Sequence, residues 1–171
     1  DMAISELISS EEAKISINIS NLGVFNNRII EKLKNALKDY KIAERLIIEI
    51  TETSLNENFA KIAEFANVLQ DLGCKVAVDD FGGGVTSFKQ LREIKFDIIK
   101  IDGSFVRDIT TSTYSRLVVE LIVKLAKTIG AKTVAEWVET GEGAKLLLEM
   151  GVDFMQGHFF SPAQDFRSWN K

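Results

Sequence analysis

Val76-Ala77-Val78-Asp79-Asp80-Phe81-Gly82-Gly83-Gly84-Val85-Thr86-Ser87 is the stretch that decides how the rest of the chain is interpreted. Its apolar start predicts a buried β-strand that ends on two adjacent carboxylates. Side chains alternate between the faces of a strand, so Asp79 and Asp80 point in different directions unless the backbone turns between them. The three glycines that follow give the chain the conformational freedom for a tight turn.

Adjacent carboxylates at the end of a strand repel each other, which raises one pKa or favours the binding of a cation. We therefore interpret Asp79 and Asp80 as candidate ligands of a divalent metal. The alternative is that the two side chains only cap the turn that follows them.

The composition is that of one domain, with 171 residues of which 46% are hydrophobic. The net charge of −4 argues against a general binder of DNA, RNA or anionic membranes, but leaves room for a small nucleotide held by metal. The single cysteine, Cys74, excludes an internal disulfide and indicates a cytoplasmic setting. We expect no membrane contact by this segment, since no apolar run is long enough to span a bilayer.

The rest of the chain alternates between predicted strands and predicted helices. Helical periodicity is present over 29–37, 62–69 and 117–129, near 146–148, and in an opening helix over 1–7. The predicted strands are 14–20, 45–52, 76–80, 96–102, 132–139 and 152–159. Strands separated by helices of this size imply βαβ units with parallel pairing, and therefore an α/β fold with a parallel sheet or barrel.

A polar or charged residue stands near the carboxyl end of every predicted strand. In a parallel sheet or barrel those ends lie on one face, where binding sites form. Carboxylates with an amide oxygen, without cysteine or histidine, suit Mg²⁺, Mn²⁺ or Ca²⁺ and are poor ligands for structural Zn²⁺. An ammonium beside them suits contact with a phosphoryl oxygen, which favours metal-assisted phosphoester hydrolysis. The residues are Asn18, Glu49, Asp79, Asp80, Lys100, Glu136 and Gln156.

The same motifs carry a family resemblance. From about Ser5 to Phe160 the chain resembles the EAL domain, the cyclic di-GMP phosphodiesterase family. The motifs, in order, are Asn18-Ile19-Ser20, Glu49-Ile50-Thr51-Glu52, Asp79-Asp80-Phe81-Gly82, Lys100-Ile101-Asp102, Ala135-Glu136, Val138-Glu139 and Gln156-Gly157.

The resemblance implies a (β/α)8 TIM-like barrel that uses two divalent metals, Mg²⁺ or Mn²⁺, to hydrolyse cyclic di-GMP to linear pGpG. Asn18, Glu49 and Asp79 would hold the first metal, with Asp79 bridging to the second. Asp80 would hold the second metal, and Glu136 and Gln156 would complete its surroundings. Lys100 would position the attacking water or help to deprotonate it, so Lys100 and Glu136 are the expected catalytic residues. Glu52 would brace the loop after Asp80, and residues that bind the substrate's bases are not identified.

Three departures from the family pattern stand out. No Glu-Ala-Leu precedes Asn18, so we expect 1–171 to be a single EAL-type domain fragment of about six βα units that lacks the first strand and helix. Gly83 and Val85 stand where the family usually has threonine and tyrosine. Trp137 stands where glycine is common, and it either reshapes the mouth of the barrel or packs outside it.

These departures leave an alternative function open. An inactive EAL-like domain would act as a cyclic di-GMP receptor, or as a module for protein interaction or dimerisation. For either function the resemblance implies a homodimer and flanking signalling domains such as GGDEF or PAS, in a parent protein that is cytoplasmic or anchored to a membrane.

Other polar and aromatic residues have simpler interpretations. Taken singly, Glu52, Asp102 and Glu139 are expected to be structural hydrogen-bonding or solvated groups. His158 is expected to pack or to form a hydrogen bond rather than to act as an acid or base. Aromatic residues at strand ends more often fill the core than stack on guanine, and we expect this of Phe154, Phe159 and Phe160.

Overall fold

The computed structural model describes residues 2–19, 27–40, 42–84 and 88–163. The predicted end of the first strand at Ser20 and the loop residue Val85 lie outside these ranges. The strands are β1 (Ile15–Asn18), β2 (Leu46–Thr51), β3 (Lys75–Phe81), β4 (Ile98–Ile101), β5 (Lys132–Ala135) and β6 (Phe154–Met155). The helices are α1 (Met2–Ser9), α2 (Asn27–Tyr40), α3 (Glu52–Asp71), α4 (Phe88–Glu93), α5 (Gly103–Arg107), α6 (Thr113–Ile129) and α7 (Gly141–Glu149), and Ala43–Arg45 form a 3₁₀ turn before β2.

The described strands form one curled parallel sheet, in the order β1-β2-β3-β4-β5-β6. Each strand pairs with the next one in sequence, so every connection is a crossover of the βαβ kind. The α/β fold with parallel strands is thus confirmed, and the carboxyl ends of all six described strands lie at the same end of the sheet.

Helices cover one face of this sheet and make the core. Ile48, Val76 and Ile99, on three adjacent strands, are fully buried, as are Ile62 and Ala66 of α3. Burial of such side chains stabilises the fold by roughly 1.5–3 kcal/mol each. The strands are therefore held firmly behind their carboxyl ends, where the polar residues lie.

The helix ends follow the expected chemistry. The hydroxyl of Thr51 accepts a hydrogen bond from the amide of Ser54 and caps α3. Gly130 ends α6 in the left-handed conformation with φ +81°.

The fifth and sixth strands are shorter than predicted. β5 ends at Ala135, because the backbone turns at Trp137 with φ +57°. β6 has two residues, and after it the chain crosses the exit of β5, where Val138 donates to the carbonyl of Gln156. A Cβ on Gly157 would lie 2.3 Å from backbone atoms of Val138, so this close crossing requires glycine.

At the amino end of the sheet, two aspartates that directly precede a strand form hydrogen bonds with the neighbouring strand. Before β6, the Asp153 carboxylate accepts from the amide and hydroxyl of Thr133 (2.9 and 3.0 Å) and from the ammonium of Lys132 (2.7 Å). Before β4, the Asp97 carboxylate accepts from the amide of Val76 at 2.9 Å. These contacts stabilise the fold at the end opposite to the candidate ligands.

We expect Asp153→Asn to lower the free energy of unfolding by about 1 kcal/mol at neutral pH. Slight burial alone would raise the pKa of Asp153, but the hydrogen bonds from Lys132 and Thr133 outweigh it and lower the pKa. A carboxyl whose folded pKa lies below its unfolded value of about 3.9 stabilises the fold above that pH, and the contribution is lost as the pH falls through the folded pKa. In urea unfolding, the difference in free energy of unfolding between wild type and variant should therefore narrow on acidification. A difference that widens would contradict this role.

Candidate metal centre

The two aspartates of β3 point to the same place because the backbone turns at Asp80. Asp80 has φ +55°, and the pairing of β3 with β4 shifts register between Val78 and Phe81. The sequence suggested the glycines for this turn, whereas the structure makes it two residues before the first of them, at a residue with a Cβ. As a result, one oxygen each of Asp79, Asp80 and Glu136 lie within 4.8 Å of one another.

Lys100, from β4, lies among three carboxylates. Its ammonium nitrogen is 2.8 Å from Glu49 Oε2, 2.7 Å from Asp79 Oδ1 and 3.0 Å from Glu136 Oε1, and all four side chains are buried. The contact with Glu49 is a hydrogen bond. Asp79 Oδ1 is at ion-pair distance but accepts no hydrogen bond. The ammonium thus forms ion pairs with carboxylates from β2, from β3 and from the exit of β5.

The acidic groups outnumber the cation, and their pKa values reflect this. Burial raises the pKa of Glu136 to about 7, although contact with Lys100 opposes the shift. Burial and the negative charge of Asp79 raise the pKa of Asp80. Burial alone would lower the pKa of Lys100, but its contacts with Asp79, Glu49 and Glu136 outweigh it and raise the pKa. Three carboxylates share one ammonium and a fourth, that of Asp80, lies beside them, so acidic groups exceed basic ones at this site.

This arrangement fits a divalent cation. The converging oxygens come from carboxylates, the ligands that Mg²⁺ and Mn²⁺ prefer. Asp79 Oδ1 is buried with the ammonium of Lys100 as its ion-pair partner and no hydrogen bond of regular geometry, so it retains a lone pair for coordination. The excess charge would be balanced by the same ion.

The two amide residues flank the cluster. Gln156, directly after β6, donates from Nε2 to Glu136 Oε1 at 3.1 Å, so it orients that carboxylate. Asn18 is exposed at the end of β1, in register with Glu49 of β2. Gln156 therefore extends the cluster of Asp79, Asp80 and Glu136 directly, and Glu49 extends it through Lys100. Asn18 lies one strand away, beside Glu49.

Glu52 contacts the loop after Asp80 rather than the cluster. Its buried carboxylate oxygen Oε2 accepts from the amides of Gly82 (2.9 Å) and Gly84 (3.0 Å). A Cβ on Gly84 would lie 2.8 Å from this carboxyl group, so the loop approaches it as closely as glycine allows. Asp102 caps α5 by accepting from the amide of Ser104, which agrees with its structural interpretation.

We expect Glu52→Ala to loosen this loop, because two amides lose their charged acceptor. Hydrogen exchange at Gly82 and Gly84 should accelerate by at least about tenfold. Glu52→Gln keeps an acceptor oxygen and serves as the matched control, with a smaller effect. Unchanged exchange in the alanine variant would show that the loop does not depend on Glu52.

Two of the open clefts beside the cluster share Trp137, which the sequence left either at the mouth of the barrel or packed outside it. The Asp80 cleft, about 360 Å³, is lined by Glu52, Asp80, Asp102 and Arg107, and the Gln156 cleft, about 460 Å³, by Glu136, Glu139, Gln156 and His158. Trp137 lines both. The sequence signal for it was a tryptophan where the family pattern has glycine.

The packing expected of His158 and of three phenylalanines is wrong. His158 is exposed in the Gln156 cleft. Phe154, Phe159 and Phe160 are 57%, 50% and 55% exposed. For His158, Phe159 and Phe160 the reason is the short β6, because the chain leaves the sheet before it reaches them. Phe154 lies on β6 and lines an open cleft on the sheet.

The model of the EAL domain family matches residues 2–163. The chain belongs to the EAL domain family. The EAL chain is 36% identical over 152 residues to the cyclic di-GMP phosphodiesterase PdeF of Escherichia coli strain K12, a match that covers 88% of the chain and 20% of that relative. It therefore spans about a fifth of the length of such curated relatives.

Solved structures agree with the EAL assignment. An EAL domain protein from Listeria monocytogenes EGD-e is 34% identical, with a TM-score of 0.82 over 95% of the chain and 67% of that structure. PaMucR phosphodiesterase in complex with c-di-GMP is 26% identical, with a TM-score of 0.84 over 94% of the chain and 66% of that structure. These similarities confirm the TIM-barrel type of fold that the resemblance implied.

Proposed function

We propose that the protein hydrolyses cyclic di-GMP to linear pGpG with the help of divalent metal ions. The observation that carries this proposal is the convergence of Glu49, Asp79 and Glu136 around the ammonium of Lys100, with Asp80 beside Asp79 and Glu136, on an EAL scaffold. Relatives named as cyclic di-GMP phosphodiesterases, and the structure of PaMucR phosphodiesterase with c-di-GMP, support the choice of substrate.

The carboxylates would hold the ions. Glu49 and Asp79 with Asn18 would form one site, and Asp80 with Glu136 and Gln156 a second, with Asp79 between them. Bound Mg²⁺ or Mn²⁺ would supply Lewis acidity toward the phosphodiester and a more acidic water. The burial of Glu49, Asp79 and Glu136 strengthens their charge interactions, whereas Asp80 is exposed to the cleft that it lines.

The remaining residues position this machinery. Lys100 pairs with carboxylates that would hold the ions, and from the same place its ammonium would orient the attacking water. Gln156 fixes the carboxylate of Glu136, and Glu52 fixes the loop that follows Asp80. Rigid support of this kind keeps reacting groups aligned.

An assay with cyclic di-GMP tests the proposal. The purified protein, with Mg²⁺ or with Mn²⁺, should release pGpG that is resolved by liquid chromatography, and EDTA should stop the release. Binding of cyclic di-GMP without product in either metal would instead identify a receptor, the alternative left open by the altered loop and by Trp137. Absence of both binding and product would contradict a nucleotide function.

The partners implied by the resemblance are part of the same proposal. A second copy of the chain would form a homodimer, for which the exposed apolar side chains of Tyr114, Leu117 and Leu121 on α6 offer surface. Flanking GGDEF or PAS domains and a cytoplasmic location complete the proposal. In the described residues no helix is both long enough and apolar enough to cross a membrane.

A further inference from the structure

Trp137 occupies a backbone conformation that bulky residues rarely adopt. Its φ is +57°, and in the described part of the chain it shares positive φ with only one other residue that is not glycine, Asp80. Glycine adopts such a conformation without strain, whereas a side chain there costs free energy of order 1–3 kcal/mol. A large aromatic residue at this strained position, directly after Glu136, calls for a role that its ring performs.

The ring is held in place by α5. A Cβ on Gly103 would lie 2.1 Å from Trp137 Cδ1, so the indole packs directly on the backbone of the helix. One helical turn further on, the guanidinium of Arg107 lies over the indole, 5.0 Å from the ring centroid. Trp137 is nonetheless 51% exposed. The side chain is thus an oriented ring with half of its surface open to a ligand.

The open part of the ring lies at the metal centre. Trp137 lines the Asp80 cleft on one side and the Gln156 cleft on the other, so it stands between the candidate ligand Asp80 and the pair Glu136 and Gln156. We propose that Trp137 is a stacking platform for a guanine base of the substrate, an inference that rests on the proposed function. Residues for base binding were not identified from the sequence.

The chemistry of the clefts favours a base over a phosphate at this ring. Asp102 and Glu139 lie on the cleft walls beside Trp137, and these carboxylates repel a phosphate. They outnumber the cation Arg107, whose guanidinium lies over the indole. The same carboxylates accept hydrogen bonds, and guanine presents N–H donors along its edge. An indole face adds stacking, and removing such a ring weakens base binding by about tenfold.

Substitutions at this position separate stacking from folding. Trp137→Gly removes the ring and suits the backbone, so the variant should fold as well as the wild type by circular dichroism. Trp137→Phe keeps an aromatic face. Phe160→Ala, an exposed ring that lines neither cleft, is the matched control.

The readout is binding of two small probes by calorimetry, together with steady-state kinetics. We expect Trp137→Gly to raise the Kd for 5′-GMP about tenfold and to leave that for ribose 5-phosphate, which lacks the base, within about twofold. KM for cyclic di-GMP should rise by a similar factor with kcat within about threefold, and Trp137→Phe should retain most of the affinity. Phe160→Ala should match the wild type.

The outcomes separate the two proposals. Equal 5′-GMP affinity in wild type and Trp137→Gly, or equal loss for both probes, would overturn the stacking role while leaving hydrolysis intact. Absence of pGpG release by the wild type, with 5′-GMP affinity that still depends on Trp137, would overturn the proposed hydrolysis and support the platform alone.

Discussion

Asp79→Asn is expected to reduce the rate of pGpG release by about 10³-fold or more, a loss of ~4 kcal/mol of transition-state stabilisation. The substitution keeps the size of the side chain but replaces a charged ligand by a neutral one. Asp79 lies between the other acidic residues, close to Asp80 and Glu136 and 2.7 Å from the ammonium of Lys100. Both proposed ion sites lose a ligand charge at once. The same variant should show weaker binding of Mn²⁺ in calorimetry.

The matched control for Asp79→Asn is Asp97→Asn. Asp97 lies at the amino end of the sheet and accepts from Val76 and Gln70, far along the strands from the cluster. Its substitution should cost stability and leave Mn²⁺ affinity unchanged. Full turnover by Asp79→Asn, or equal loss of Mn²⁺ affinity in both variants, would exclude the proposed role of Asp79.

The position of the site was predictable because it depends on periodicity. Strand and helix patterns gave six parallel strands, and parallel strands place their carboxyl ends together. The side chains of Glu49, Asp79 and Lys100 could therefore be assigned to one rim before any contact was known. Their separation in sequence, 51 residues between Glu49 and Lys100, does not matter once the sheet forms.

The backbone turns at the site were not predictable in the same way. Local preference favours glycine for positive φ, yet Asp80 and Trp137 adopt it while glycines stand nearby. Tertiary contacts decide this, since Asp80 breaks the register of β3 with β4 and Trp137 packs on Gly103. The exposure of Phe159 and His158 was missed for a related reason, because the length of β6 depends on a crossing with Val138 that no local pattern encodes.

Lys100 links the stability of the chain to the charge of its site. Removing one partner of a buried ion pair leaves the other charges uncompensated and costs about 3–5 kcal/mol. Lys100→Met keeps the length of the side chain and removes the charge that Glu49, Asp79 and Glu136 share. In EDTA we expect the Tm to fall by roughly 6–20 °C for a chain of this size.

Added Mn²⁺ should return part of this loss, because an ion that binds only the folded state stabilises it and would replace the missing positive charge. The rise of Tm with Mn²⁺ should therefore be larger in Lys100→Met than in the wild type, whereas pGpG release should stay below about 1% of the wild-type rate because the positioning donor is absent. Lys124→Met is the control: Lys124 pairs with Glu120 at 2.7 Å, but both side chains are more than half exposed. Such surface pairs contribute well under about 1 kcal/mol, so its Tm should barely change.

A Lys100→Met protein as stable in EDTA as the wild type would mean that the carboxylates of the site do not need a cation at their centre.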